Sequence, residues 1–224
     1  MLKAVIFDMD GTVLDTLSDL RTATNVALRK NGLPERGLDE VRRFVGNGIL
    51  RLVEQAVPAG TPAGTVQNVF DDLNAYYRDH CADETKAYPG IKVMLRALRT
   101  AGLRTAVVSN KPDYGVQALV EQYFKGLFDF AVGVTPGVNR KPAPDMVNAA
   151  LAALGASPET AVYVGDSEVD IATANNAGLP CICVSWGFRD PAVQRAHGAT
   201  LFANTPVDVL RHVEKMIGAD PRDS

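Results

Sequence analysis

Apolar residues fall in two rhythms along this chain of 224 residues. Short, nearly continuous apolar runs recur at 2–7 (LKAVIF), 103–110 (LRTAVVSN), 128–134 (FDFAVGV), 160–166 (TAVYVGD), 180–186 (PCICVSW) and 199–202 (ATLF). Runs of that length, bounded by Gly, Pro, Asn or Asp, predict buried strands. Between them the apolar positions space out at three and four. Segment 89–101 carries Val93, Leu95 and Leu98 and stops at Gly102, and 113–124, 145–154, 168–176 and 206–217 follow the same rule, which predicts helices. Strands alternating with helices imply βαβ crossovers and an α/β fold: a Rossmann-like parallel sheet with helices on both faces.

One stretch breaks the alternation. Four helical patterns follow one another at 17–30, 38–45, 49–57 and 63–80, with the loop PAGTPAG at 58–64 and no strand among them. A crossover ordinarily uses one helix. The segment therefore predicts an all-helical cap domain, 16–83, inserted into a core domain formed by 1–15 and 84–224. The closing GADPRDS (218–224) reads as a frayed end.

Composition then excludes several classes. A hydrophobic content of 46% and a charged content of 22% fit an ordinary globular protein. The formal net charge of -3 leaves no electrostatic footprint for nucleic acid. No apolar run approaches the roughly 20 residues of a membrane span, and the chain enters its first strand without a signal-peptide pattern. Cys81, Cys181 and Cys183 make no disulfide framework; the last two alternate along an apolar strand and read as core. The expected location is the cytoplasm. His80, His197 and His212 lack ligand spacing, and Trp186 reads as packing.

The chemistry begins at FDMDGT. Asp8 and Asp10 stand two apart at the end of the first strand, and residues i and i+2 of a strand point the same way. Two anions crowded beside a core repel each other, so a divalent cation and a lysine are the expected compensation. Polar groups close three further strands or the loops beyond them: Ser109 with Asn110, Lys141 in NRKPAPD, and Asp166 with Asp170 in VGDSEVD. Each alone has an ordinary structural reading as a turn former, helix cap or solvated side chain. Their order is the signal, because open α/β sheets bind ligands beyond the carboxyl ends of their strands.

DMDGT, VSN, the lysine of RKPAPD and GDSEVD together resemble the four motifs of the haloacid dehalogenase superfamily, in its phosphatase branch, over residues 8 to about 190. Segment 16–83 is similar to the helical cap that this superfamily inserts after its first motif. FVGNG and SNK look most like the phosphoglycolate phosphatases. Phosphoryl transfer to water needs a nucleophile, a proton donor and acceptor, and charge neutralisation at the transferring oxygens. Asp8 is the expected nucleophile, forming an aspartyl-phosphate. Asp10 is the expected acid and base, and its presence argues for an oxygen leaving group over a halide. Mg²⁺ is the expected cofactor, held by the carboxylates of Asp8 and Asp166. The resemblance implies the backbone carbonyl of Asp10 as a third protein ligand. Asp170 is placed behind these ligands, aligning a water or Lys141. The expected phosphate contacts are Ser109, Asn110, Lys141 and Thr12.

In the cap, RRFVGNGILR presents Arg42, Arg43, Asn47 and Arg51 around Gly46 and Gly48. Arg43, Gly46, Asn47 and Gly48 are the expected specificity residues, an arginine pairing with a substrate carboxylate. The expected partner is a small phosphorylated metabolite, 2-phosphoglycolate first, with no nucleic acid and no membrane, acted on by a monomer or homodimer. The alternatives are a phosphomutase of the β-phosphoglucomutase kind, a phosphatase or pyrophosphatase for another small phosphate substrate, and a non-catalytic binding protein. Against the last, every catalytic position holds a competent residue.

Overall fold

A computed structural model describes residues 1–218; the tail expectation for 219–224 lies outside them. Six strands make one parallel sheet: β1 (Ala4–Phe7), β4 (Arg104–Pro112), β5 (Phe130–Val134), β6 (Ala161–Gly165), β7 (Cys181–Val184) and β8 (Leu201–Ala203). Their order is β5-β4-β1-β6-β7-β8. The first strand therefore lies between β4 and β6, with Phe7 level with Val107 on one side and Val164 on the other. The winding reverses direction beside β1, which opens the crevice where such sheets take ligands.

Strand alternation feeds two apolar layers. Val5 and Phe7 join Val107, Val162 and Ile182 on one face, under α5 (Ile91–Thr100), α6 (Asp113–Phe124) and α10 (Pro206–Gly218). Ala4 and Ile6 join Val108 and Tyr163 on the other, under α7 (Asp145–Leu154) and α8 (Glu168–Ala177). Asp-terminated β6 is followed at once by α8, whose N-cap Ser167 accepts from the Asp170 amide. In α5 the buried stripe is Ile91, Met94, Leu95 and Leu98, so Val93 faces out.

The four expected helices follow β1: α1 (Leu17–Lys30), α2 (Leu38–Phe44), α3 (Ile49–Ala56) and α4 (Ala63–His80). Their apolar faces, with Leu28, Val41, Val53, Val69 and Leu73, form one cluster continuous with the first sheet layer. The chain leaves and rejoins the sheet region through a ribbon the apolar pattern does not reveal. Here β2 (Leu14–Asp15) pairs antiparallel with β3 (Lys86–Ala87), Asp15 opposite Lys86. Beside it the buried carboxylate of Asp19 accepts from the amides of Glu84 and Thr85 at 2.9 Å each and from the Thr85 hydroxyl at 2.8 Å. The ribbon and a six-residue helix α9 (Pro191–Ala196), capped by Asp190, are too short to carry a readable period.

Candidate active site

Asp8 emerges at the carboxyl end of β1, and its amide bonds the Val164 carbonyl of β6 at 2.9 Å. Ser109 and Asn110 close the interior of β4, and Asp166 follows β6 directly. Lys141 comes from the loop before α7. Its amide donates to Asn110 Oδ1 at 2.7 Å, and Asn110 Nδ2 donates back to the Lys141 carbonyl at 3.0 Å. Asn110 thus fixes where the lysine starts. The reversal after β1 depends on Gly11 at φ +85°, where an added Cβ would lie 2.5 Å from Asp166 Oδ2. Only glycine lets the first and fourth acidic segments approach so closely.

The ammonium of Lys141 is buried and spends its three protons on Asp8 Oδ1 (2.7 Å), Asp170 Oδ1 (2.8 Å) and the Tyr163 hydroxyl (3.1 Å). Burial pulls its pKa down, but the Asp170 and Asp8 carboxylates outweigh that and hold it well above the usual lysine value. Asp170 Oδ2 accepts in turn from Ser167 Oγ at 2.6 Å and from the amides of Ser167 and Asp166. Both Asp170 oxygens are therefore engaged by protein donors.

Carboxylate oxygens of Asp8, Asp166 and Asp170 lie within 4.8 Å of one another. Burial, then Asp170, pushes the Asp8 pKa well up against the pull of Lys141. Burial and Asp170 likewise raise Asp166 to about 7. One ammonium does not neutralise this many buried carboxylates, and a cluster of oxygen donors short of positive charge fits a hard divalent cation such as Mg²⁺. Asp166 is held as Asp170 is, its Oδ2 accepting from the Phe188 amide at 2.6 Å, so the three carboxylates together are the group that could hold such an ion. Thr12 was expected at the phosphate. Its hydroxyl instead donates to Asp166 Oδ1 at 3.3 Å, which ties the turn after β1 to the fourth motif.

Asp10 is not left to share Lys141. Its Oδ1 accepts from Thr16 Oγ1 at 2.7 Å and lies 3.1 Å from the ammonium of Lys111, one residue beyond the SN pair. Lys111 is buried and also donates to the Tyr77 hydroxyl of α4 at 2.7 Å. Burial lowers its pKa and Asp10 raises it, with a net rise. Each first-motif carboxylate thus has its own buried lysine, and each lysine its own buried tyrosine. The motif pattern alone points to one lysine, Lys141. The available signal was the last letter of SNK, a charged residue closing an apolar strand.

Between these groups and the helices lies a pocket of about 30 Å³, lined by Asp8, Asp10, Ser109, Asn110 and Lys111 below, and by Leu20, Val45, Ile49 and Leu52 with Gly46 and Gly48 above. The two glycines sit at φ +122° and +83°; at Gly48 an added Cβ would lie 3.3 Å from the Asn110 carbonyl. Asn110 Nδ2 reaches the Gly46 carbonyl at 3.0 Å, and Arg189 donates to the carbonyls of Arg42 (2.9 Å) and Val45 (2.6 Å). Asn47 contributes its carbonyl to Arg140 at 3.4 Å. The arginines depart from expectation. Arg42 and Arg43 are exposed because α2 turns Val41 inward, and Arg51 pairs with Glu54 at 3.0 Å on the outer side of α3. None of the three lines the pocket.

A parallel sheet with a helical insertion and an acid-lysine cluster at its switch point defines a hydrolase of the haloacid dehalogenase type. The chain belongs to the haloacid dehalogenase-like hydrolases, whose family pattern matches residues 5–184. Among its relatives is the phosphoglycolate phosphatase of Cereibacter sphaeroides (strain ATCC 17025 / ATH 2.4.3), 36% identical over 95% of this chain and 99% of that protein. That of Rhodobacter capsulatus is 34% identical over 96% and 92%. A candidate phosphoglycolate phosphatase from Lactobacillus delbrueckii subsp. bulgaricus superposes with a TM-score of 0.88 at 38% identity, covering 92% of this chain and 96% of that one.

Proposed function

We propose that this chain hydrolyses 2-phosphoglycolate to glycolate and phosphate through a phosphoryl group carried on Asp8. The carrying observation is that Asp8 and Asp10 line one pocket, each tethered by its own buried lysine. The names of the full-length relatives support the substrate.

Asp8 attacks phosphorus while the bond from phosphorus to the ester oxygen breaks, and Asp10 gives that oxygen its proton. Asp10 then takes a proton from the water that attacks the phosphoaspartate, which releases phosphate and restores Asp8. Lys141 orients Asp8 and neutralises the phosphate, and Ser109 and Asn110 line the phosphate end. A bound Mg²⁺ would supply further charge neutralisation at the transferring oxygens. The pocket as it stands has room for about two waters, so we read 16–83 as a cap domain that swings from the core, 1–15 and 84–224, to admit the ester. One chain supplies every residue, so the mechanism needs no second copy. The setting we infer is the cytoplasm, in keeping with free Cys81, Cys181 and Cys183.

The test is kcat/KM over a panel of phosphate esters with and without Mg²⁺, beside Asp8→Asn. We expect 2-phosphoglycolate to lead, Mg²⁺ to be required, and Asp8→Asn to be inactive yet folded. A sugar phosphate or nucleotide at the head of the panel would overturn the substrate, and turnover by Asp8→Asn the mechanism.

A further inference from the structure

The proposed substrate carries a second anion, and the pocket must answer it. Among the residues that line the pocket, the one cation is Lys111; Lys141 does not line it, and Arg140 and Arg189 are spent on carbonyls of the loop around Gly46 and Gly48. The side chains above it, Leu20, Val45, Ile49 and Leu52, offer an organic group no hydrogen bonds. Such walls suit a short chain ending in one charge and penalise a ring of hydroxyls.

The position of Lys111 matters as much as its charge. Its ammonium is 3.1 Å from Asp10, the group proposed to protonate the ester oxygen. In 2-phosphoglycolate a single carbon separates that oxygen from the carboxylate, so an ester oxygen held at Asp10 puts the carboxylate next to whatever neighbours Asp10. An ammonium has three protons. Among the described residues, Lys111 directs them to two partners, Asp10 and the Tyr77 hydroxyl at 2.7 Å. One remains for a ligand, in a setting where the lysine side chain is 2% exposed and an ion pair is weakly screened.

We propose that Lys111 selects carboxylate-bearing phosphate esters, pairing with the substrate carboxylate while Tyr77 holds the ammonium in place. This rests on the reading of the substrate given above. It moves specificity from the arginines of the insertion to a lysine of the sheet. Because Tyr77 belongs to α4, the subsite is complete only when the insertion is docked.

The experiment measures kcat/KM for 2-phosphoglycolate and for ethyl phosphate, which keeps the ester and replaces the carboxylate with a methyl group. The quantity read is their ratio, which removes the part of any loss through Asp10 that the two esters share. We expect the wild-type ratio to exceed about 100, and Lys111→Met to reduce it by about 100-fold, as removal of one partner of a buried ion pair does. Lys111→Arg should keep most of it. Tyr77→Phe, which leaves the ammonium present but unanchored, should lower the ratio about tenfold, and it serves as the measurement should Lys111→Met not fold. A ratio unchanged in the variants while both rates fall would overturn the proposal and leave Lys111 a positioning residue for Asp10. A wild-type ratio near one would instead overturn the substrate itself.

Discussion

The acid cluster makes a prediction about stability that needs no substrate. Asp166 is raised from 3.8 to about 7 by burial and by Asp170. A carboxyl raised on folding keeps its proton where the unfolded chain has lost it. Its contribution is therefore fully present below about pH 4, is lost as pH rises toward 7, and leaves a constant penalty above. At 1.36 kcal/mol per pKa unit the difference is about 4 kcal/mol, which relaxation and water entry reduce to about 2 kcal/mol. For a chain of this size that is about 4 to 8 °C in Tm. The assay is thermal unfolding of metal-free protein from pH 5 to 8, compared with Asp166→Asn. The variant lacks the titration, and the window from pH 5 covers about two of the three pKa units, so the wild type should lose about 3 to 5 °C relative to it across that range. Saturating Mg²⁺ at a hundred times its Kd adds about 2.7 kcal/mol, and its effect should grow with pH in the wild type as the protons it displaces disappear. A wild type that parallels Asp166→Asn at every pH, or gains equally from Mg²⁺ at pH 5 and 8, would refute the electrostatic account.

Three further perturbations follow from named contacts. Gly187→Ala would put a Cβ 2.3 Å from Asp166 Cβ and 2.5 Å from the Gly11 carbonyl; overpacking of this kind costs about 1–3 kcal/mol, and the Mg²⁺-dependent rise in Tm should shrink with it. An unaltered Mg²⁺ response would contradict that geometry. Asp19→Ala strands the amides of Glu84 and Thr85 and should lower urea-unfolding stability by about 2 kcal/mol, with a loss under about 0.5 kcal/mol, the scale of an inert surface change, counting against the clamp. Arg189→Ala removes the donors that hold the Arg42 and Val45 carbonyls. It should raise KM more than it lowers kcat and speed hydrogen exchange around residues 42–48; equal exchange in the two proteins would show that the contact does not hold the insertion.

What the sequence disclosed and what it concealed divide along physical lines. The strand rhythm located the ends of β1 and β6 and stopped two residues short of the end of β4 at Pro112, and a rule about strand ends was enough to gather Asp8, Ser109 and Asp166, with Lys141 arriving on a nearby loop. These positions are fixed by local pattern and topology. Lys111 depends on tertiary partners instead: its neighbours are Asp10, about a hundred residues earlier in the chain, and Tyr77, whose hydroxyl is one polar atom on an otherwise apolar helix face. No period in the sequence relates those three. The arginines lie away from the pocket for the opposite reason. Their charge suggested a ligand, but Val41 sets the rotation of α2 and carries Arg42 and Arg43 outward. Thr12 was placed at the right end of the right strand, yet its hydroxyl faces Asp166, and a hydroxyl's direction is not written in spacing.

The short ribbon of Asp15 opposite Lys86 brings the two ends of a seventy-residue excursion to neighbouring positions on paired backbones, about 5 Å apart as such pairs are. Anything whose own termini meet at that separation could be spliced there without altering the register of the main sheet. The excursion could thereby be exchanged between related chains; Lys111 would stay with the sheet while its Tyr77 anchor left, so the preference for a carboxylate should weaken wherever the incoming excursion brings no matching hydroxyl.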